Sequence, residues 1–273
     1  VPFGDTARLE EELKRGDVAA FIVEPIQGEG GVIVPPDGYL ARVREICQHY
    51  GTLFIADEIQ TGLGRTGRMF AVEHDNAVPD IMCISKSLGG GLVPIGAYIT
   101  TEEIWNRAYG GMDRCLLHTS TFGGNALSVA CAITSLNILV EENLPLVAST
   151  KGELFLTRLR QIRHPLIREI RGRGLLIGVE FEPPGKLTNW VRELSHEYFA
   201  SLVAGELMNK FRIITAYTLN NPNVIRLEPP LIVSEEELNY AAEALQKILD
   251  RPGGVAGMIW EAGKLAVKSF IRR

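Results

Sequence analysis

The chain has 273 residues, of which 46% are hydrophobic and 22% are charged, and its net charge is −5. This is an ordinary globular composition, with enough chain for one large or two modest domains. The charge gives no indication of a nucleic-acid partner or an anionic membrane surface, and no apolar run approaches a membrane span of about 20 residues. The four cysteines, Cys47, Cys83, Cys115 and Cys131, lie far apart and fit neither a metal site nor a disulfide framework, which favours a reducing cytoplasm.

The first half of the sequence alternates apolar runs with helical patterns. A capped helix is predicted over 5–14, and a buried strand over 18–23 ends at Glu24-Pro25. A helix over 37–50 then leads to a second strand over 52–56, which completes a right-handed βαβ unit. The elements predicted next are strands over 81–84 and 93–100, a helix that begins at Thr101 and a long helix over 126–142. This order predicts an α/β domain with a mostly parallel sheet over 1–142.

From about residue 143 the composition shifts and short strands are mixed with helices. The predicted elements are helices over 145–162, 188–210 and 234–250, strands over 167–173 and 175–181 and near 212–215 and 223–227, a turn at 183–185 and a possible helix in the tail 253–273. Mixed elements of this kind predict a smaller α+β domain with a tail over 143–273.

Two ionisable residues lie where apolar strands end. Asp57 follows Leu53-Phe54-Ile55-Ala56, and Lys86 follows the strand 81–84 and precedes three glycines. Taken alone, such an aspartate is more often a turn former and such a lysine a surface charge. Together at the ends of neighbouring parallel strands, they fit a site for pyridoxal phosphate. A buried lysine can bond covalently to the aldehyde of this cofactor, and a carboxylate keeps its ring nitrogen protonated.

Four motifs stand in the order in which the class III pyridoxal-phosphate aminotransferases carry them: VAAFIVEPIQGEGG, LFIADEIQTGLGRTG, ISKSLGGG and HTSTFGGN. The chain therefore resembles this family over most of its length. RLEPPL near the C-terminus and VPFG at the start make it most similar to the putrescine aminotransferase group, close to the ornithine and acetylornithine enzymes. The resemblance implies fold type I, with 1–142 as part of the large cofactor-binding domain and 143–273 as the small domain.

The resemblance also implies the residues that bind pyridoxal 5'-phosphate. Lys86 carries the cofactor and moves the substrate proton, while Asp57 faces the ring nitrogen. Ile59 lies against one face of the ring, although a core isoleucine is the commoner role. Gln60 reaches the phenolic oxygen side of the ring, although a loop amide is the plainer interpretation.

A second group of residues is expected to bind phosphate or substrate. Ser120 and Thr121 offer hydroxyls to a phosphate, although a Ser/Thr run before a helix is more often an N-cap. In the resembling family the threonine reaches the cofactor phosphate of the neighbouring subunit, which implies a homodimer with shared sites. The resemblance also implies that Arg226 binds the substrate carboxylate and that Glu29 is a charge switch, which pairs with this arginine when no substrate carboxylate is present. The basic loop LGRTGR at 63–68 is interpreted as an exposed turn.

The family carries roughly a third more chain before the position of Val1, including a glycine/serine phosphate cup and an aromatic residue that stacks on the ring. We therefore expect the sequence to be the C-terminal part of a longer protein. The favoured function is transfer of a terminal amine from a putrescine- or ornithine-like donor to a 2-oxo acid, with 2-oxoglutarate preferred. The alternatives are a non-catalytic fragment and an aminomutase or racemase of the same fold.

Overall fold

The computed structural model describes residues 1–182 and 189–251 together with Gly257, and for 189–198 it describes the backbone alone. The predicted turn at 183–185 and the predicted tail helix lie outside these residues. Contacts divide the chain into two compact units. The first unit comprises Val1–Ile26 and Val34–Val147, and the second comprises Gln27–Ile33 and the chain from Ala148 onward. The predicted domain limits, 1–142 and 143–273, stay a prediction, since a division by contacts does not test independent folding.

The first unit contains a four-stranded sheet in the order β1-β2-β3-β4. The strands are β1 Ala20–Val23, β2 Leu53–Asp57, β3 Ile81–Ile84 and β4 Ala97–Thr100. The first three are parallel, as the alternation of strands and helices predicts, and β4 pairs antiparallel with β3. The predicted strand over 93–100 is therefore shorter, since only its second half pairs.

Helices α1 Thr6–Leu13, α2 Tyr39–His49, α3 Glu102–Tyr109 and α4 Ala126–Glu141 complete this unit. The start of α1 was predicted at Asp5 or Thr6, and Asp5 is the cap, because its carboxylate accepts a hydrogen bond of 2.9 Å from Arg8 N. Leu9 and Leu13 of α1 pack with α2 onto Phe54 and Ala56 of β2 and form the core. The strand over 18–23 was expected to be buried, but Ile22 of β1 is 60% exposed. Its neighbour Val23 points into the core instead, which follows the two-residue alternation of a strand.

The second unit contains an antiparallel sheet in the order β5-β6-β8-β7. Its strands are β5 Ile167–Arg173, β6 Leu176–Phe181, β7 Ala216–Tyr217 and β8 Val224–Leu227. Its helices are α5 Leu144–Arg160, which begins in the last residues of the first unit, α6 Asn189–Phe211 and α7 Glu235–Leu249. Phe155, Phe181 and Phe199 belong to the core between these elements. The mixture of helices and short strands predicted for this part of the chain is therefore found.

The strand predicted near 212–215 is wrong, because β7 begins only at Ala216. Arg212 adopts a left-handed backbone with φ 60°. Its N–H donates to Met208 O, and the N–H of Ile213 donates to Leu207 O. These bonds close the C-terminus of α6, so the residues serve the end of a helix instead of a strand.

In the described part of the chain, no single helix is long and apolar enough to cross a membrane. Helices α4 and α5 would be long and apolar enough only if they formed one continuous span, but the chain bends by 63° between them.

Candidate active site

Asp57 and Lys86, which were predicted to bind the cofactor, lie at or just after the carboxyl ends of β2 and β3. These strands are parallel, and Asp57, the last residue of β2, stands in register with Cys83 of β3. Lys86 follows three positions later, at the start of a short 3-10 helix, Lys86–Gly89. Ligands of open α/β sheets bind at this edge, so the topology places both side chains where the sequence predicted them.

Lys86 has an unusual backbone and a defined partner. Its φ is 46°, in the left-handed region that non-glycine residues seldom adopt, and such strain is concentrated at functional sites. The preceding Ser85 donates a hydrogen bond of 2.7 Å from its hydroxyl to Ile95 O, which fixes this turn. The Lys86 Nζ donates to Gln60 Oε1 at 2.9 Å. The structure therefore brings together two residues that the resemblance named.

A buried lysine was expected at this position, but the structure leaves Lys86 exposed. Its side chain lines an open cavity of about 510 Å³ together with Ser85, Pro94, Ile95 and Gly96. The lysine follows the end of β3, and its amine extends to Gln60. The amine is accessible to a small molecule that enters this cavity.

Asp57 is half-buried and shapes the turn that follows it. Its Oδ1 accepts a hydrogen bond of 3.1 Å from the N–H of Ile59. This is the turn-forming role that an aspartate after a strand commonly has. A carboxylate has two oxygens and about four lone-pair positions, so this bond leaves capacity for a second partner. The turn role and the predicted role toward a ring nitrogen are therefore compatible.

Glu58 is a residue of this region that the sequence did not single out. It is 1% exposed, and its carboxylate accepts hydrogen bonds from Val72 N, at 2.8 Å, and from the Thr61 hydroxyl. Burial raises the pKa of Glu58 above its usual range, and these hydrogen bonds oppose the rise. The only signal in the sequence was its place beside Asp57 at a strand end.

Glu58 helps to fix the segment that contains LGRTGR, and the interpretation of this loop as an exposed turn is wrong. Leu63, Gly64 and Thr66 are all buried. His74 Nε2 lies 3.2 Å from the Thr66 hydroxyl, within hydrogen-bond distance. Most of the loop is therefore buried or half-buried, and within 63–68 only Arg68 is exposed.

Ser120 and Thr121 lie in an exposed turn before α4. Neither caps this helix. Asn125 does so instead, because its side-chain oxygen accepts a hydrogen bond of 2.9 Å from Ser128 N. The alternative that these hydroxyls serve as an N-cap is therefore wrong. Among the described contacts, none joins Ser120 or Thr121 to Lys86 or Asp57.

The second unit contains the other predicted pair. Arg226 of β8 donates a hydrogen bond of 2.7 Å from Nη1 to Glu29 Oε1. The second carboxylate oxygen of Glu29 accepts one of 3.1 Å from Leu219 N. The Arg226 side chain is 10% exposed and that of Glu29 is 39% exposed. A buried cation is thus neutralised by a carboxylate that solvent or a ligand can reach.

Glu228 gives Arg226 a second acidic neighbour. Its Oε2 lies 2.8 Å from Arg226 Nε, as an ion pair, but without the alignment of a hydrogen bond. The guanidinium therefore lies between two carboxylates. With two carboxylates beside it, Arg226 can give up one of them for the carboxylate of a ligand and still have an anionic partner.

The residues of the first unit fit pyridoxal phosphate. An amine beside an amide, in an open cavity, suits the aldehyde and the adjacent ring oxygen, and a carboxylate at the neighbouring strand end suits the ring nitrogen. Among the residues that the structure describes, no group of His, Cys, Asp and Glu is arranged to hold a metal ion.

The fold is that of the pyridoxal-phosphate-dependent proteins of fold type I. The chain belongs to the class III aminotransferases, since the family model for "Aminotransferase class-III" matches residues 5–249. Pyridoxal 5'-phosphate is the cofactor that membership of this family indicates.

Similar solved structures include two ornithine aminotransferases and one acetylornithine aminotransferase. The ornithine aminotransferase of Toxoplasma gondii, described with partial occupancy of PLP at its active site, is 40% identical with a TM-score of 0.79 and covers 90% of this chain and 54% of its own. The ornithine aminotransferase of Plasmodium yoelii is also 40% identical, with a TM-score of 0.79, a coverage of 90% of this chain and 61% of its own. The acetylornithine aminotransferase of Elizabethkingia anophelis is 36% identical, with a TM-score of 0.79 and coverages of 90% and 58%. The chain therefore spans between 54% and 61% of the length of these three proteins.

Proposed function

We propose that the complete protein transfers a terminal amino group from a putrescine- or ornithine-like donor to a 2-oxo acid, with 2-oxoglutarate as the acceptor. The observation that carries this proposal is the pair formed by Glu29 and Arg226. An arginine that is nine-tenths buried needs an anionic partner at all times, because an unpaired buried charge costs several kcal/mol. A partly exposed glutamate is a partner that can be replaced.

The two half-reactions place different demands on this pair. A diamine donor carries no carboxylate, so Arg226 stays bound to Glu29 while the donor reacts. A 2-oxo acid such as 2-oxoglutarate carries carboxylates, and one of them takes the place of Glu29 on the arginine. Two unlike substrates thereby use one site in turn, as ping-pong transfer requires.

The residues of the first unit supply the proton transfers. Pyridoxal phosphate, when bound, supplies an electron sink for the charge that remains when the substrate carbon loses its proton. Lys86 Nζ is the base that accepts this proton and the acid that returns it, and Gln60 orients the amine through its side-chain oxygen. Asp57 would hold the protonated ring nitrogen of the bound cofactor, and Ile59 would lie against one face of its ring.

The partners of this reaction are small molecules, an amine and a 2-oxo acid. We propose a homodimer in which Ser120 and Thr121 bind the cofactor phosphate of the neighbouring subunit. Support comes from their exposed position, since among the described residues neither hydroxyl is used to cap α4. We propose a cytoplasmic location on the strength of the four unpaired cysteines alone.

Single-turnover kinetics of the complete enzyme test the proposed function. Arg226→Lys keeps the charge but loses the two-pronged geometry, so it should weaken 2-oxoglutarate much more than it weakens a diamine donor such as putrescine. Arg158→Lys, at an exposed position of α5, is the matched control and should leave both half-reactions unchanged.

Three other results would point elsewhere. Equal losses in both half-reactions for Arg226→Lys would make the arginine structural. An amino group that moves within one substrate and never reaches the 2-oxo acid would indicate an aminomutase. Absence of any chemistry in the complete enzyme with its cofactor would leave a non-catalytic protein.

A further inference from the structure

Two arginines flank one glycine across the sheet of the second unit. Gly178 of β6 stands in register with Arg171 of β5 on one side and with Arg226 of β8 on the other. Residues directly opposite each other on neighbouring strands project to the same face of a sheet. Arg171 and Arg226 therefore lie on one face, two strand spacings or about 10 Å apart, with a gap between them where Gly178 has no side chain.

The loop Gln27–Ile33 occupies this gap. A Cβ atom at Gly178 would lie 2.9 Å from Val32 Cβ and 3.2 Å from Gly31 O, so only glycine lets the loop approach this closely. Val32 is fully buried and has φ 54°, a strained conformation for a β-branched residue. The loop is thus pressed against the sheet in a backbone shape that its surroundings must enforce.

Arg171 supplies much of that enforcement. Its Nη2 donates to Gly31 O at 2.6 Å, and its Nε lies 3.0 Å from the carbonyl oxygens of both Gly31 and Val32. The other end of the loop is held by a pair of backbone hydrogen bonds between Gln27 and Ile33. Glu29 lies between these two anchors and reaches Arg226 on the far side of Gly178.

The charge of Arg171 is already matched by other acids. Its Nη1 donates to Glu169 Oε2 at 2.7 Å and to Glu180 Oε2. Glu180 also pairs with Arg168, whose guanidinium is mostly exposed. Arg171 therefore does not compete with Arg226 for the carboxylate of Glu29, and its effect on the loop runs through the two carbonyl oxygens.

We propose that Arg171 is a positioning residue, which fixes the backbone of the loop Gln27–Ile33 so that the Glu29 carboxylate is presented to Arg226. With the backbone held, Glu29 leaves Arg226 by side-chain rotation alone, and the loop does not have to unfold in each cycle. The balance between Glu29 and a substrate carboxylate on Arg226 is then set partly by Arg171. This inference rests on the proposed function of Glu29 and Arg226.

Arg171→Lys in the complete holoenzyme tests the proposal, because lysine keeps the charge but cannot reach two carbonyl oxygens and two carboxylates at once. Gly178→Ala is a second, independent variant that displaces the loop without removing a charge. Arg168→Lys is the matched control, since Arg168 shares the Glu180 partner and, among the described contacts, donates no hydrogen bond to the loop. The probe is glutarate, a dicarboxylate without a reactive carbonyl, titrated by calorimetry.

A loosened loop presents Glu29 less well, so Arg171→Lys and Gly178→Ala should each bind glutarate about threefold more tightly or better, within the range of couplings between neighbouring residues. Amide hydrogen exchange over 28–32 should accelerate in both. Arg168→Lys should match the wild type. In a Glu29→Ala background the Arg171→Lys change should have no further effect on glutarate, because the residue through which it acts is gone.

Unchanged loop exchange or unchanged glutarate affinity in both variants would overturn the proposal. An equal effect of Arg171→Lys with and without Glu29 would also overturn it and make Arg171 merely structural. Should Arg171→Lys fail to fold, Gly178→Ala decides by the same readouts. Glutarate binding and exchange do not depend on amino transfer, so a failure of the proposed reaction would be seen separately.

Discussion

At the scale of single residues, Lys86 has both a strained backbone and the amine predicted to react with the cofactor. Lys86 has a left-handed backbone, and its amine is directed to Gln60 by a hydrogen bond. A lysine at the surface for solubility alone would have no need of such a backbone. The sequence predicted the residue from its place at a strand end, but it could not predict the conformation, which depends on the contact of Ser85 with Ile95 ten positions away.

We expect borohydride reduction of the complete holoenzyme to place the pyridoxyl label on Lys86. Lys86→Ala should lower the rate of amino transfer at least about a hundredfold, since positioned acid–base catalysis contributes that much or more. Peptide mapping and single-turnover kinetics measure the two effects. Lys247→Ala, on the exposed side of α7, should do neither. A label on another lysine, with Lys86 unmodified, would contradict the assignment.

The two roles of Asp57 can be separated by substitution. Asp57→Asn keeps an oxygen for the Ile59 N–H but loses the charge that a protonated ring nitrogen needs. We expect the turnover rate to fall about a hundredfold, in the range seen when one electrostatic contact to the reacting group is lost, with little change in thermal stability. Asp57→Ala should lower both activity and stability. A fully active Asp57→Asn enzyme would reduce Asp57 to a turn former.

At the scale of elements, Glu58 joins the end of β2 to the short 3-10 helix Ala71–Asp75. Burial raises its pKa above the ordinary value of 4.5, so the folded protein keeps the proton to a higher pH than the unfolded chain does. Its contribution to the free energy of unfolding is therefore largest below pH 4.5 and is lost as the pH rises through the folded pKa.

Glu58→Gln should remove this pH dependence and keep the fold, because the amide oxygen can accept from Val72 N and the amide group can donate to Thr61. Glu58→Ala should destabilise the protein by about 1–3 kcal/mol, since it leaves a buried donor without an acceptor. Denaturant unfolding between pH 4 and pH 8 measures both. Glu153→Gln, at an exposed position, is the control. The same pH slope in Glu58→Gln and wild type would contradict the assignment.

Elements with local signals were predicted well from the sequence. The helices predicted over 5–14 and 234–250 are found as α1 and α7, and each begins with a cap made by residues three apart. The wrong strand near 212–215 and the missed role of Arg171 have another origin. The first depends on how α6 ends, and the second on a loop some 140 positions earlier in the chain, neither of which leaves a pattern in the neighbouring residues.

At the scale of the whole molecule, the predicted dimer is the main open test. Thr121→Ala should weaken cofactor binding about tenfold, as expected for the loss of one hydrogen bond to a charged group, while Thr121→Ser should bind it as the wild type does. Absorbance titration measures the affinity, and analytical ultracentrifugation of the complete enzyme should show an active dimer. A fully active monomer would refute the shared site.

The passage of the chain through the loop Gln27–Ile33 has a consequence for recombination between relatives. By sequence this loop connects β1 to α2, but by contacts it belongs with the unit that begins at Ala148. A chimera that exchanges only the chain from Ala148 onward would combine Glu29 from one parent with Arg171 and Arg226 from the other. If Glu29 and Arg226 decide substrate choice as proposed, the segment to exchange is discontinuous: residues 27–33 and the chain from Ala148 onward must be exchanged together.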